Sequence, residues 1–168
     1  MAAFLTALRF LTIVPAPGDH QPPDAEWWRA TGWYPVVGLL LGGVLAGLDW
    51  GLGLVWPERV AAALVLAAWV ALTGALHLDG FVDCCDALLA PVPQARRLEI
   101  LRDVHAGSFG IVGAVLLLLG KYTALASLPA GMRLAGLFLV PALGRWAMTA
   151  AVAIYPYARP GSGLGRKA

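Results

Sequence analysis

The sequence predicts an all-α fold, a polytopic helical bundle that forms a single membrane domain over residues 1–168. Of these residues, 60% are hydrophobic and 13% are charged, whereas soluble domains carry about 25% charged residues. Long apolar runs also recur along the chain, and about 20 apolar residues suffice for a helix to cross a bilayer. We expect about four transmembrane helices and one N-terminal interfacial helix.

The N-terminal segment, residues 1–15, is predicted to lie in the membrane interface as an amphipathic helix. Its apolar residues recur on one helical face, and they include Phe4, Leu5, Leu8 and Leu11. A secretory signal peptide is a poorer interpretation. Arg9 interrupts the apolar run, and Pro15 and Pro17 follow it in place of a small-residue cleavage site.

Four later apolar segments are predicted to cross the membrane, and they are 34–55, 60–76, 109–128 and 134–155. Glycines four residues apart in the first of them would let a neighbouring helix approach closely. Residues 77–108 form the one long polar segment, which we expect to be an acidic loop that carries the functional site. Residues 156–168 form a basic, glycine-rich tail.

The distribution of basic residues predicts the orientation in the membrane. Lysines and arginines concentrate in the 77–108 segment and in the tail, whereas the two opposite loops hold only Arg59 and Arg133. Because loops rich in these residues stay on the cytoplasmic side, we place the N-terminus, the acidic loop and the tail in the cytoplasm. A formal net charge of +2 with scattered basic residues predicts no nucleic-acid partner.

Three carboxylates, Asp79, Asp83 and Asp86, directly follow the second predicted span. Their spacing puts them on one face of a helix, where they repel each other unless a cation lies between them. Mg²⁺ prefers carboxylate oxygens together with substrate phosphates, so we predict that these three aspartates bind magnesium and that Asp83 is also catalytic. The competing interpretation is a solvated helix end, with the acids as cap and first-turn residues.

A second cluster, Arg102 to Gly110, directly precedes the third predicted span. Asp103 could complete the cation site or orient a nucleophile, and we assign it a catalytic role. Gly107 and Gly110 would let the backbone approach a ligand, and Ser108 could cap the following helix, whose N-terminal N–H groups would suit a phosphate. We therefore predict substrate contacts from Arg102, Gly107, Ser108 and Gly110, although an ordinary loop-to-helix junction would explain the same residues.

Other basic side chains could bind an anionic substrate. Arg145 and Lys121 lie inside apolar spans, where charged groups tend to face the bundle interior or a water-filled cavity, although Lys121 could instead snorkel. We predict substrate binding by Arg145, by Arg159 in the tail and by His77, which could equally be an interfacial helix-end residue. Metal-binding acids beside basic groups suit in-line phosphoryl or nucleotidyl transfer.

Several motifs together resemble the adenosylcobinamide-GDP ribazoletransferase (cobalamin synthase) family, and the resemblance covers nearly the whole chain. The most specific motif is the acidic run His-Leu-Asp-Gly-Phe-Val-Asp-Cys-Cys-Asp-Ala-Leu from His77 to Leu88. The others are, in chain order, Ala7 to Pro15, Tyr34 to Gly38, Arg97 to Gly110, and Tyr157 to Arg159 with Gly163 to Gly165.

The resemblance implies that α-ribazole, or its 5′-phosphate, attacks adenosylcobinamide-GDP, which releases GMP and gives adenosylcobalamin or its phosphate. It also implies Mg²⁺ dependence and a multi-pass location in a bacterial inner membrane. The implied metal and phosphate ligands are Asp79, Asp83 and Asp86, and the pocket would be completed by Asp103, Gly107, Ser108 and Gly110. A homo-oligomer and a complex with other cobalamin-pathway proteins are both left open.

Family members continue with further transmembrane helices after the Gly-Leu-Gly segment, so we expect this chain to be a C-terminally truncated member. Three other functions stay open. A CDP-alcohol phosphotransferase would share the chemistry, but its Asp-x-x-Asp-Gly-x-x-Ala-Arg motif is absent from the sequence. A small transporter would have Lys121 and Arg145 line its path, although transport predicts broken helices rather than an acidic loop. An inactive fragment would only pack against a partner.

Overall fold

The computed structural model describes residues 1–17, 23–103 and 105–155. The helices in this part of the chain are α1 (Ala2–Leu11), α2 (Asp24–Thr31), α3 (Tyr34–Gly53), α4 (Glu58–Leu72), α5 (Leu76–Leu89), α6 (Gln94–Ile100), α7 (Ser108–Ser127) and α8 (Ala130–Ile154). No strand occurs among these residues. The predicted all-α class is confirmed.

Three of the helices, α3, α7 and α8, are long and apolar enough to cross a membrane. They coincide with the first, third and fourth predicted spans. The helices α4 and α5 meet at a bend of 87°. They are long and apolar enough to cross a membrane only when they are taken together as one broken span. The protein is therefore a multi-pass membrane protein with three such helices, or four if the bent pair counts as one, in agreement with the predicted architecture.

The helices α3 and α8 form the most extensive packing contact. A Cβ atom on Gly38 would lie only 2.7 Å from the carbonyl oxygen of Pro141, and Gly42 meets the α8 backbone at Phe138 in the same way. The two helix backbones touch here because these positions have no side chain, as in other membrane helix pairs. The predicted close approach is thus present at Gly38 and Gly42, whereas Gly47 has no such neighbour within 4 Å.

Two apolar cores hold the remaining helices. Buried side chains of α3, α4, α7 and α8 pack around Leu45, Val65 and Leu137. A second core joins α1 to the start of α3 around Leu11, where Phe10 stacks on the Tyr34 ring at a centroid distance of 5.9 Å. Helix α1 is therefore fixed to the bundle. Its predicted position in the membrane interface stays a prediction.

The acidic segment differs from the loop that the sequence predicts over residues 77–108, because α5 and α6 occupy much of it. The chain turns before α5 at Gly74 and Ala75, which both have a φ of 56°. This left-handed conformation is natural for glycine but costs an alanine about 1 kcal/mol. The turn ends α4 early and sends the acidic residues along a new helix.

Helix α5 is stabilised by a neighbour that is distant in the sequence. Its residues Phe81, Val82 and Cys85 face Gly110 and Gly113 of α7, and a Cβ atom on Gly113 would lie 2.5 Å from the Cys85 Sγ atom. Close packing of this kind favours a helix through contacts that a single stretch of sequence does not contain. This explains why the polar composition predicts a loop while the chain forms a helix.

Candidate functional site

The three predicted metal ligands, Asp79, Asp83 and Asp86, all lie on α5. Asp79 is exposed, and the other two are half-buried. The charges of Asp79 and Asp86 both act on Asp83, so the structure holds both of them within electrostatic range of Asp83, as the helical spacing predicts.

Asp86 is bound to the start of α7. Its Oδ2 atom accepts a hydrogen bond from the Gly107 backbone N–H at 2.7 Å, and its Oδ1 atom accepts one from the Gly110 N–H at 2.8 Å. N–H groups at a helix start have no partner within the helix, and the positive end of the helix dipole favours a carboxylate. Asp86 therefore caps α7. The predicted cap, Ser108, makes no such bond in the structure.

The two glycines are required by this contact. A Cβ atom on Gly110 would lie 2.6 Å from the Val82 Cγ1 atom and would also overlap the Asp86 carboxylate, which a Cβ atom on Gly107 would meet as well. Another group approaches the backbone closely at both positions, while the predicted approach of a substrate stays a prediction. The group that approaches is the protein's own Asp86.

Asp103 lies in the exposed turn after α6. Its Oδ1 atom is 2.8 Å from the Nδ1 atom of His105 and accepts a second hydrogen bond, from the His105 backbone N–H, at 3.1 Å. The hydrogen bond with the His105 side chain, followed by the one from its backbone, lowers the pKa of Asp103 below its ordinary value. Asp103 is therefore ionised at neutral pH. Within the described residues no hydrogen bond or ion pair joins it to the α5 aspartates, and Arg102 is exposed beside it.

Three basic side chains from three helices form a second group, which we call the basic cluster: His77 on α5, Lys121 on α7 and Arg145 on α8. The charges of Lys121 and Arg145 act on His77, and that of Arg145 acts on Lys121. The Lys121 Nζ atom also lies 4.7 Å from the centroid of the Trp69 ring. The structure thus brings together two predicted substrate-binding residues, His77 and Arg145. The third, Arg159, lies outside the described residues.

Sequence reasoning missed a buried ion pair. The Arg133 Nε atom donates to the Asp49 Oδ2 atom at 2.9 Å, and the two residues are 4% and 2% exposed. The sequence places Arg133 in an outer loop, but it lies in the first turn of α8. One signal could have found the pair, since Asp49 is the only acid between residues 34 and 55 and an acid inside a span needs a partner.

Whether the α5 carboxylates could bind magnesium depends on which of their oxygens already accept hydrogen bonds. Among residues 1–17, 23–103 and 105–155, no group of three or more His, Cys, Asp and Glu side chains is placed so that it could hold a metal ion. Both Asp86 oxygens accept N–H groups, whereas Asp79 and Asp83 accept none from the described residues. Two such carboxylates fit Mg²⁺, which usually takes one or two of them together with waters and substrate phosphates.

Comparison with known proteins gives consistent matches. Residues 3–168 match the family of cobalamin-5-phosphate synthase. An adenosylcobinamide-GDP ribazoletransferase of Thermosynechococcus vestitus is 47% identical over 158 residues, which cover 94% of this chain and 62% of the relative. An enzyme of the same name from a Roseiflexus species is 40% identical, over 95% of this chain and 59% of the relative. One from Pseudomonas paraeruginosa is 41% identical, over 99% of this chain and 67% of the relative.

The chain spans about three fifths of the length of the first two of these relatives. No solved structure matches it. The family resemblance in the acidic run and the flanking motifs is confirmed by these matches, which extend over almost every residue. The chain belongs to the cobalamin-5-phosphate synthase family.

Proposed function

We propose that the protein joins adenosylcobinamide-GDP to α-ribazole, or to its 5′-phosphate, and releases GMP and adenosylcobalamin, or the corresponding phosphate. The name of the curated relatives, adenosylcobinamide-GDP ribazoletransferase, supports this reaction. The observation that carries the proposal is the docking of α5 on α7 through Asp86. That contact holds two further carboxylates, Asp79 and Asp83, on a rigid helix at the edge of the apolar bundle.

In this reaction a hydroxyl group of the ribazole attacks a phosphorus atom of the diphosphate. A new P–O bond forms, the P–O bond to GMP breaks, GMP leaves with the electron pair, and the proton of the hydroxyl passes to water. Mg²⁺, when bound, would neutralise charge on the phosphate oxygens. We assign Asp79 and Asp83 as its ligands, and Asp86 as the residue that positions them by holding α5 against α7.

Asp103 suits a different task. Its low pKa keeps it ionised, and a carboxylate of low proton affinity is a weak general base. We therefore assign it to orienting the attacking hydroxyl, with Arg102 and Ser108 beside the substrate, whereas Gly107 and Gly110 hold Asp86. Arg145, His77 and Arg159 complete the proposed set of substrate-binding residues.

We further propose that the acidic helix faces the cytoplasm of a bacterial inner membrane. The segment between α5 and α7 carries Arg96, Arg97 and Arg102, whereas Arg59 and Arg133 are the basic residues on the opposite side. Loops with more basic residues remain cytoplasmic. Both substrates would then reach the site from the side where nucleotides are made.

An assay of the purified protein with adenosylcobinamide-GDP, α-ribazole and Mg²⁺ tests the proposal, with GMP and cobalamin as readouts. We expect product from the parent and none from Asp83→Asn or in excess EDTA. Glu99→Gln, which removes an exposed acid paired with Arg96, serves as the matched control and should retain activity. Equal product from Asp83→Asn or in EDTA would exclude the metal-carboxylate mechanism. A fusion that adds the C-terminal part of a longer relative tests whether that part is required.

A small transporter is the second candidate, because α4 and α5 form a broken pair bent by 87° and broken helices with internal charges are typical of transporters. Reconstituted liposomes loaded with labelled α-ribazole distinguish the two functions. Export of the label without formation of GMP would support transport.

A further inference from the structure

The bundle contains positive charge that no carboxylate of the described residues neutralises. The ion pairs in residues 1–17, 23–103 and 105–155 join Arg96 to Glu99, His105 to Asp103, and Arg133 to Asp49 and Glu58. Neither Arg145 nor Lys121 takes part in one. Arg145 is only 4% exposed, and an unpaired buried charge is costly to maintain. This cost indicates that an anion from outside the described residues belongs beside it.

The guanidinium of Arg145 presents a specific edge to such an anion. Its Nη1 atom donates to the Pro141 carbonyl oxygen at 3.4 Å, which orients the group. The Nε and Nη2 atoms are buried and have no hydrogen-bond partner in the part of the chain that the structure describes. These two nitrogens form one side of the guanidinium, and their parallel N–H groups match two oxygens of a single phosphate or carboxylate.

The neighbouring side chains favour a phosphate. Lys121 adds a second cationic side chain, and it is exposed, so one side of the cluster lies at the surface of the bundle. The His77 ring contributes two further buried nitrogens without a hydrogen-bond partner among the described residues, one of which can donate a hydrogen bond. Two cationic side chains are balanced by two negative charges, which a diphosphate carries over its two phosphorus centres and a single carboxylate does not.

We propose that Arg145, Lys121 and His77 bind a phosphate group inside the bundle through basic side chains alone, without the carboxylates of α5. The inference rests on the proposed function in one respect, since the diphosphate of the nucleotide-activated substrate is the group expected there, with one phosphate at the basic cluster and the other beside the α5 carboxylates. A lipid headgroup offers the same phosphate oxygens with a single negative charge. The two sources are separated by experiment.

Binding of inorganic pyrophosphate tests the site directly. Protein solubilised in a maltoside detergent, with EDTA present, is titrated with pyrophosphate in a calorimeter. We expect saturable binding that Arg145→Gln and Lys121→Gln each weaken about tenfold or more, because charge-assisted hydrogen bonds are lost. Arg145→Lys should also weaken binding, since lysine keeps the positive charge but lacks the two parallel N–H donors of the guanidinium. Arg96→Gln removes one exposed positive charge and should leave the affinity unchanged.

Thermal unfolding separates a binding role from a structural one. Without an anion, Arg145→Gln should melt at the same temperature as the parent or higher, because it removes an unpaired buried charge. Pyrophosphate should raise the melting temperature of the parent and leave that of Arg145→Gln unchanged. The proposal is wrong if neither pyrophosphate nor phosphatidylglycerol raises the melting temperature of the parent in detergent. It is also wrong if Arg145→Gln is stabilised as much as the parent.

The lipid arm uses nanodiscs of phosphatidylcholine with and without phosphatidylglycerol. If the anionic lipid displaces pyrophosphate from the parent, and Arg145→Gln abolishes this competition, a lipid phosphate occupies the site. Pyrophosphate binding that is lost in Asp83→Asn and kept in Arg145→Gln would contradict the inference. Intact binding in a protein that releases no GMP, either alone or fused to the C-terminal part of a longer relative, would contradict the proposed reaction and leave the phosphate site standing.

Discussion

The carboxylate of Asp86 and the backbone N–H of Gly110 join α5 to α7 at a distance of 2.8 Å, across 24 residues of the chain. Asp86, which has the spacing predicted for a metal ligand, therefore caps the N-terminus of α7. The remaining two acids of α5, Asp79 and Asp83, accept no hydrogen bond from the described residues, and we propose these two as the metal ligands.

Replacement of Asp86 by asparagine should destabilise the protein by about 1–3 kcal/mol, because the amide NH₂ group faces an N–H that needs an acceptor. The measurement is thermal or denaturant unfolding in detergent with EDTA present. Asp83→Asn is the matched control, since Asp83 accepts no hydrogen bond from the described residues. Equal destabilisation by the two substitutions would argue against the capping role.

Gly110→Ala should disrupt the contact between α5 and α7, because the new Cβ atom would lie 2.6 Å from the Val82 side chain and overlap Asp86. We expect a lower melting temperature together with lower activity. Gly120→Ala on the same helix meets nothing within 4 Å and should be neutral or stabilising, since alanine is favoured over glycine in helices by about 1 kcal/mol. The two variants would behave alike only if the close packing were unimportant.

Arg133→Met should cost about 3–5 kcal/mol of stability, because it leaves the Asp49 carboxylate buried without its partner. The double variant Arg133→Met with Asp49→Leu should recover much of this loss, since no unpaired charge remains. Glu58→Gln is the control, because that carboxylate is exposed and lies 4.0 Å from Arg133. Unfolding of all four proteins in one detergent gives the comparison. A double variant as unstable as Arg133→Met would show that charge pairing is not the cause.

Mg²⁺ should raise the melting temperature of the parent in the absence of substrate, by an amount that grows with its concentration. Asp79→Asn and Asp83→Asn should each weaken the apparent affinity about tenfold, since each removes one carboxylate ligand. Glu99→Gln controls for loss of an acid elsewhere. Unchanged magnesium stabilisation in both aspartate variants would exclude these residues as ligands.

The sequence alone was sufficient for the properties that depend on composition and short-range spacing. The apolar runs predict α3, α7 and α8 because burial in lipid requires about 20 apolar residues in each helix. The order of the motifs around the acidic run identifies the family, since residue identity is all that such a comparison uses. The spacing of Asp79, Asp83 and Asp86 places them on one helical face, because the helical repeat fixes that relation locally.

Only the tertiary structure decided what those residues touch. Asp86 meets Gly107 and Gly110 because α5 packs on a helix that begins 19 residues after α5 ends, and Arg133 meets Asp49 across 84 residues. Among the described residues Arg145 has no carboxylate partner for the same reason, since its surroundings come from other helices. Hydrogen bonds and charge pairs act over a few ångströms in space, and separation along the chain gives no measure of that distance.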